Sequence, residues 1–545
     1  MKIADEAVPM APSTWAPLAV SAFRWIWIAT IVSNIGSAMQ VVGATWVMVK
    51  LDNRPLMLAL LQAAGTLPMF VAGLPAGVLA DIVDRRRLLI AANLWMVLAA
   101  FALFGAASLH QITVPTLLGL TFALGLGAAV NAPAFQAIVP ELAPGALLMP
   151  AVSLNSAGTN VAKTIGPALG GVVVGLVGIP WVFALNALST LVVLIALVTW
   201  RRKPIPRRLP PEHFFSALRS GLRYVSVVPQ ARTVLWRSLL YFSVASALWA
   251  LLPSIASKRL DLDALGYGGL LGALGSGAVL AALLLPLMRQ RWHPDRLAIC
   301  TTAVCGVAAV VVSLSLSVPV VMLGTAAFGA GWVINLTLLN VSIQLAVEGW
   351  IKARMLSFFV VAYMGSMTLG SVVWGYIAQW TSPWEALLAA GLLQIASAMA
   401  VMYLPLDRVE ETDPMPASGH DMPLLLAHGG DYGILLVTVD YQVPTENLDA
   451  FYAALVQIRR TRLRTGAISW RHWSSEDNVR QRESYIVESW TEYMRQQLRR
   501  THEDENLDQV LRILLASDAI PEMTIFVEHA TRLESPRLAH EETTG

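Results

Sequence analysis

Lys163 lies about midway along the apolar stretch 150–176, with Asn160 nearly one helical turn before it. The stretch is long enough to span a bilayer, and a cation near the bilayer centre is costly unless it faces a cavity or a polar partner. Two interpretations of Lys163 follow. It lines a polar path through the membrane, or it is paired structurally with asparagine side chains or backbone carbonyls.

Further amide side chains interrupt other apolar stretches. In a membrane such a side chain lines the same polar path or makes a hydrogen bond between helices. We therefore treat them, together with Lys163 and Asn160, as candidates for a substrate cavity: Asn34, Gln40, Asn131, Asn335 and Asn340.

A charged motif, GVLADIVDRRR, follows the second apolar stretch and begins at Gly77. An unpaired Asp81 carboxylate at the end of a membrane helix would be costly, and Arg85 or Arg86 on the short loop can reach it. We expect this cluster to form when the helix ends close and to break when they part. The alternative is that the arginines only set membrane orientation.

The fifth apolar stretch carries a second motif, Gly166-Pro167-Ala-Leu-Gly170-Gly171. Glycines permit helices to approach closely, and the proline removes a backbone donor and permits a kink.

The elements that position these residues follow from composition. Of 545 residues, 56% are hydrophobic and 14% are charged, against about 25% charged in a soluble domain. A single soluble domain and a disordered chain are therefore excluded, and a nucleic-acid partner is not expected. Twelve stretches can span a bilayer: 22–49, 56–80, 88–108, 113–135, 150–176, 180–199, 234–257, 264–288, 297–317, 318–343, 355–379 and 383–405.

The loops between these stretches differ in charge. If the N-terminus is cytoplasmic, the inner loops hold Arg85 to Arg87 and the basic stretch 201–232, whereas the outer loops hold only Lys50, Arg54, Lys258 and Arg259. Positive charge on the inner side predicts a multi-pass protein of the bacterial inner membrane with both termini in the cytoplasm. The predicted divisions are a tail at 1–21, six helices at 22–200, a basic linker at 201–233, six helices at 234–405 and a flexible linker at 406–430.

The remainder, 431–545, is predicted to be a separate cytoplasmic domain with a short tail. Residues 1–429 carry a net charge of +8, whereas 430–545 carry −6 and contain no lysine. We expect a strand at 433–443, a helix at 444–465, strands at 467–473 and 484–490, a helix at 492–515 broken near His502, and a strand at 523–529. That order is typical of an α+β ferredoxin-like fold.

The two membrane halves also resemble each other. Asn131, Gln136, Glu141 and Gly158 have counterparts in Asn335, Gln344, Glu348 and Gly365, and Glu141 and Glu348 are 207 positions apart. Parallel repeats around a central site are a known design of membrane transporters.

The two motifs resemble GxxxD(R/K)xGR(R/K)(R/K) and GPxxGG of the major facilitator superfamily, although Ile82 and Asp84 depart from the first. The stretch Asn160 to Gly171 is similar to a bacterial transmembrane-secretion-effector and enterobactin-exporter-like subgroup. The resemblance implies an all-α membrane fold of two six-helix bundles, with helices one, four, five, seven, ten and eleven lining a cavity. It also implies secondary active, proton-coupled export of a small amphipathic, siderophore-like or drug-like molecule by alternating access.

The C-terminal domain resembles dimeric α/β barrels of the antibiotic-biosynthesis-monooxygenase type, which implies a homodimer. We expect no enzymatic activity, no cofactor and no metal. Two alternatives stay open. In the first, the membrane part anchors a sensor or enzyme at 431–545. In the second, the same fold is an uncoupled uniporter or importer, because no acidic residue is evident within a membrane span.

Overall fold

A computed structural model describes residues 13–202, 214–348, 351–404, 433–516 and 520–528. Twelve long helices coincide with the twelve predicted stretches, and a shorter helix, α7, lies between the sixth and seventh of them. The bounds of the helices are α1 Ser21–Leu51, α2 Pro55–Ile82, α3 Arg85–Ser108, α4 Val114–Leu142, α5 Leu148–Leu176, α6 Ile179–Thr199, α7 Phe214–Val227, α8 Pro229–Lys258, α9 Ala264–Arg291, α10 Pro294–Leu314, α11 Val318–Leu345, α12 Lys352–Trp380 and α13 Pro383–Ala400.

Local signals explain where these helices begin. Asp84 and Asp263 each accept a hydrogen bond from a backbone N–H in the first turn of the following helix, as N-cap residues do. Several other helices start with a proline, which has no N–H to leave unpaired. Within the described residues, ten helices are long and apolar enough to cross a membrane. The protein is therefore a multi-pass membrane protein.

The membrane helices form two groups of six, α1–α6 and α8–α13. In the first group α1 packs on α5 and α6, and α4 packs on α2 and α3. In the second α11 packs on α9 and α10, and α13 packs on α10. Small residues allow the closest crossings, since a Cβ built on Gly277 of α9 would lie 1.9 Å from the carbonyl oxygen of Ala326 on α11. The predicted two-bundle fold is confirmed.

Two helix pairs make the most extensive contacts between the halves, α2 with α12 and α5 with α9. On the first pair the Thr66 and Thr368 hydroxyls are 2.7 Å apart. On the second the Thr164 hydroxyl donates to the carbonyl of Gly275 at 3.2 Å. These contacts extend from mid-helix towards the end opposite the α2–α3 loop, where Asn53 hydrogen-bonds to Ser257.

Near the α2–α3 loop, a Cβ built on Gly77 of α2 would meet no atom within 4 Å, whereas one built on Gly73, one turn earlier, would lie 3.9 Å from a methyl group of Val361 on α12. Contact between α2 and α12 is therefore seen at Gly73, and there is open space beside Gly77.

The C-terminal part contains a four-stranded antiparallel sheet in the order β2-β3-β1-β4. The predicted β-α-β-β-α-β order is confirmed, with the second helix broken into two before His502. The elements are β1 Leu435–Gln442, α14 Leu448–Thr465, β2 Ser469–Ser474, β3 Arg480–Val487, α15 Trp490–Leu498, α16 His502–Leu514 and β4 Glu522–Val527.

The predicted position of the third strand, 484–490, is wrong by several residues. Strand β3 begins at Arg480 because Ser475 and Asn478 close a tight turn directly before it. It ends before Ser489, whose side chain caps α15. The outer sheet face exposes Leu436 and Phe526, and the homodimer predicted to form through this domain stays a prediction.

The chain divides into two compact units. The membrane unit contains the twelve long helices, and the second unit consists of Leu218–Pro229, Val347–Ile351 and Val409–Gly545. Thus the second half of α7 and the segment between α11 and α12 belong to the same unit as the C-terminal sheet. Helix α7 lies within the predicted basic linker at 201–233. Its Tyr224 is buried within the second unit, and its Arg219 pairs with Glu488 at 3.3 Å.

Candidate functional site

Lys163 lies near the middle of α5 with its side chain exposed. The part of the chain that the structure describes offers this ammonium no hydrogen bond and no ion pair, although protein atoms surround it. The structural pairing considered from the sequence is therefore not what the described residues show. An accessible cation surrounded by protein, at the middle of a membrane helix, fits an internal cavity.

Helix α5 has two exposed stripes of opposite character, one on each side of its packing contacts. Its glycines Gly158, Gly166 and Gly170 lie against α1, whereas Thr164 and Gly171 lie against α9. Around the circumference of α5, the wider of the two intervals between these contacts exposes an apolar stripe, as expected for a lipid-facing surface. The stripe consists of Val161, Ile165, Leu169, Val172 and Leu176.

The narrower interval between the α1 contacts and the α9 contacts of α5 exposes a polar stripe, Ser156, Asn160 and Lys163. A polar stripe between two packed neighbours faces the space between the halves of the molecule. Asn34 of α1 is half-buried, and no hydrogen bond of its side chain appears among the described contacts. Lys163, Asn160 and Asn34 are thus the predicted cavity residues whose polar groups stay available.

Other predicted cavity residues are engaged in hydrogen bonds. Gln40 of α1 accepts a hydrogen bond from Asn186 of α6, and Asn131 of α4 accepts one from Asn93 of α3 at 2.9 Å. Asn340 accepts from Gln344 one turn later on the same helix at 2.6 Å.

Asn335 occupies in the second half the place of Asn131 in the first. It donates to the hydroxyl of Thr301 at 2.8 Å and accepts from Thr302 at 3.3 Å, which ties α11 to α10. Asn131 ties α4 to α3 in the same way. These asparagines therefore act as the interhelical clamps that the sequence left as an alternative.

Two arginines converge on one buried carboxylate at the end of α4. Arg85 Nη1 lies 2.9 Å from Glu141 Oε1, and Arg202, beyond α6, donates to both Glu141 oxygens at 2.7 and 2.8 Å. Arg202 also pairs with Asp84 at 2.6 Å. We call Arg85, Glu141, Arg202 and Asp84 the charge cluster. It links the start of α3, the end of α4 and the chain after α6.

The loop members of the charge cluster have shifted pKa values. Burial raises the pKa of Asp84, but the backbone N–H of Arg87 and the Arg202 guanidinium outweigh burial, so that pKa lies below its usual value. The pKa of Arg202 is raised because Glu141 and Asp84 accept its hydrogen bonds. Asp84 and Arg202 are therefore both charged at neutral pH.

The remaining residues of the first motif have separate places. Arg86 donates to the carbonyls of Leu197 and Val198 at the end of α6, at 3.0 and 2.6 Å. Asp81 lies in the last turn of α2, and its side chain is outside the described residues. The predicted pairing of Asp81 with Arg85 or Arg86 stays a prediction.

The helix-five motif serves close packing. A Cβ on Gly166 would lie 2.5 Å from that of Ala38 on α1, and one on Gly171 would lie 2.8 Å from the carbonyl oxygen of Ala264 on α9. Pro167 lies inside α5 and turns its carbonyl towards Gly268. The motif thus sets the distance between α5 and its neighbours in both halves.

Replacing Gly171 with alanine should lower both the thermal stability and the transport rate of the protein. The added methyl would press on backbone rather than on a flexible side chain, and such overpacking costs about 1–3 kcal/mol. Gly175→Ala on the same helix is the matched control, because a Cβ there meets nothing within 4 Å. Equal melting temperatures for the two purified variants would contradict this account of the motif.

An aromatic cluster that the sequence analysis missed lies in the second half. Five aromatic rings from α8, α11 and α12 surround the ring of Trp332, and their centroids lie 5.1 to 6.1 Å from its centroid. These rings belong to Tyr241, Phe242, Trp249, Phe328 and Tyr363. The seventh, tenth and eleventh membrane helices, which the resemblance assigned to the cavity, are these three. Trp249 follows Tyr241 by eight positions and Phe242 by seven, and Trp332 follows Phe328 by four. Residues at these spacings lie on one face of a helix, so the sequence pattern could have revealed the aromatic faces of α8 and α11.

The arrangement offers an accessible cation and amide groups that can bind a polar or charged molecule. Among the described residues, no group of three or more histidine, cysteine or acidic side chains is placed to hold a metal. The His502 side chain is outside the described residues.

The model of the transmembrane secretion effector family matches residues 12–533, which includes the C-terminal domain. The chain is 26% identical over 414 residues to the multidrug efflux pump Tap of Mycolicibacterium fortuitum, covering 71% of this chain and 96% of that one. It is 29% identical over 219 residues to the enterobactin exporter EntS of Salmonella paratyphi A, covering 39% of this chain and about half (51%) of that relative.

Solved transporters share the fold at low identity. A bacterial homologue of the lysosomal transporter Spinster superposes with a TM-score of 0.56 at 13% identity, covering 72% of this chain and 98% of that one. The D-xylose–proton symporter superposes with a TM-score of 0.55, also at 13% identity and with the same coverage of both chains.

Proposed function

The chain belongs to the transmembrane secretion effector family of the major facilitator superfamily, and we propose that it exports a small amphipathic molecule by alternating access. The observation that carries this proposal is Lys163, an accessible cation without a described partner at the middle of a membrane helix. A group of this kind is costly unless it meets a polar or charged molecule. The efflux and exporter functions of the relatives support the outward direction.

We propose that the described conformation receives cargo from the cytoplasm. The halves touch from mid-helix to the end opposite the α2–α3 loop, and Gly77 near that loop has open space beside it. The excess of arginine at the Gly77 end supports a cytoplasmic position for it, and with it cytoplasmic termini in a bacterial inner membrane. The open end would then face the cytoplasm.

The cargo we propose is an anion that carries aromatic or other flat apolar groups. The Lys163 ammonium favours a negative group, and Asn160 can add a hydrogen bond. Among the aromatic residues around Trp332, Trp249 and Tyr363 are partly exposed, and their rings favour apolar or aromatic surface on the cargo. Drug-like and siderophore-like molecules combine these features, in keeping with the printed functions of the relatives.

We propose that the proton gradient drives export. The described membrane helices carry their acidic residues only at helix ends, so the proton carrier would be a terminal carboxylate such as Asp81 or Glu141. An uncoupled carrier of the same fold is the alternative, because a mid-membrane carboxylate is the usual proton site in coupled transporters.

The test is accumulation of fluorescent dyes, drugs and catecholate siderophores in efflux-deficient cells that express the protein. We expect lower accumulation of at least one anionic aromatic compound, and an uncoupler should restore it to the level of cells without the protein. Export that is unchanged by the uncoupler would contradict the proposed proton coupling and favour the uniporter.

A further inference from the structure

The segment that joins α11 to α12 lies in the same compact unit as the C-terminal domain. Within it Glu348 is 7% exposed, and one of its carboxylate oxygens lies 2.8 Å from the Nε of Arg464. Val347 and Ile351 on either side are also buried. This connection between two membrane helices is therefore held by an arginine of the soluble domain.

Arg464 is itself fixed by the soluble domain. It lies in the last turn of α14, and its Nη2 donates to both Asp504 oxygens at 2.8 and 2.9 Å. Asp504 also accepts from the Thr461 hydroxyl and from the backbone N–H of Thr501, the N-cap of α16. One guanidinium thus joins a carboxylate of the domain to a carboxylate between the membrane helices.

The first half of the membrane unit shows the matching arrangement. Glu141 lies in the last turn of the fourth helix of its half, Glu348 lies just after the fourth helix of the other half, and the two are 207 positions apart. Arg85 and Arg202, which bind Glu141, belong to the same half as that glutamate.

We propose that the C-terminal domain, through the ion pair of Arg464 with Glu348, holds the connection between α11 and α12 in place. Since Val347–Ile351 is the covalent connection between α11 and α12, holding it restrains both helices, and α12 packs on α2 of the other half. The domain is then a working part of the transport cycle. A ligand or partner that reshapes the α14–α16 contact would regulate export.

Hydrogen exchange on the purified full chain tests the contact without any cargo, and so independently of the proposed transport function. Arg464→Met should speed amide exchange across 346–352 by about tenfold or more, as expected for breaking a buried ion pair. Arg482→Gln is the control, because that arginine pairs with Asp440 on the same domain but both side chains are more than one-third exposed. Unchanged exchange across 346–352 in Arg464→Met would overturn the proposal.

A double-mutant comparison links the contact to transport. Glu348→Gln leaves the soluble domain unaltered, so its effect does not depend on the folding of that domain. We expect Glu348→Gln and Arg464→Met each to lower the initial export rate severalfold, and the double variant to be no slower than the slower single variant. Additive losses would show that the two residues act separately, and unchanged export in both would show that the contact plays no part in the cycle.

Discussion

Lys163→Met should lower export of anionic cargo by about 10- to 100-fold, the effect expected when one partner of a poorly hydrated charge pair is removed. Export of neutral cargo should change little, because the ammonium has no described protein partner whose loss would disturb the fold. The measurement is the initial export rate for a matched acid and amide of one aromatic compound, at equal protein level in the membrane.

Two variants control the Lys163 experiment. Lys163→Arg keeps the positive charge and should retain most export. Lys50→Met removes an exposed lysine from the last turn of α1 and should have no effect on either compound. Equal losses for the acid and the amide in Lys163→Met would instead assign the lysine a structural role.

Glu141→Gln should both destabilise the protein and slow transport. It leaves the guanidinium groups of Arg85 and Arg202 without the carboxylate between them. The Glu141 side chain is 6% exposed, against 20% and 16% for the two arginines. We expect a loss of about 3 kcal/mol, the lower end of the range for a broken buried ion pair, because both arginines keep some contact with water.

Thermal unfolding of purified Glu141→Gln would measure this loss, with Arg54→Gln as the control. Arg54 pairs with Asp52 at 2.6 Å but is 59% exposed, and exposed pairs contribute about 0–1 kcal/mol. If Glu141→Gln and Arg54→Gln had the same melting temperature, the charge cluster would contribute nothing to the stability of the protein. Expression should remain, since membrane insertion depends on apolar length rather than on this pair.

The membrane fold could be predicted because the bilayer fixes the length of each span. The stretch predicted at 22–49 is α1, Ser21–Leu51, and that predicted at 264–288 is α9, Ala264–Arg291. Segment length and hydropathy are local properties, so they are readable without knowledge of tertiary contacts. The third strand of the soluble sheet was misplaced because its start depends on a tight turn whose side-chain hydrogen bonds leave a weak trace in sequence.

Which side chains pair with each other could not be predicted from the sequence. The arginines near the α2–α3 loop predicted a charge cluster, but Arg202 was placed in the linker at 201–233 and Glu141 was noted only as the counterpart of Glu348. Only folding brings the two residues together. Likewise Asn131 and Asn335 were recognised as polar residues in apolar helices. Whether such an amide faces a cavity or another helix depends on its neighbour, Asn93 or Thr301, more than 30 positions away.

The membership of Leu218–Pro229 and Val347–Ile351 in the second compact unit has a consequence for how the protein can be assembled. The covalent chain at 406–430 is only one of the attachments between the soluble sheet and the membrane helices, since buried side chains such as Tyr224 and Glu348 belong to the same unit. A protease cut between 406 and 430 would therefore not release the domain. Two separate polypeptides, divided in that segment, would bind each other and restore the whole protein.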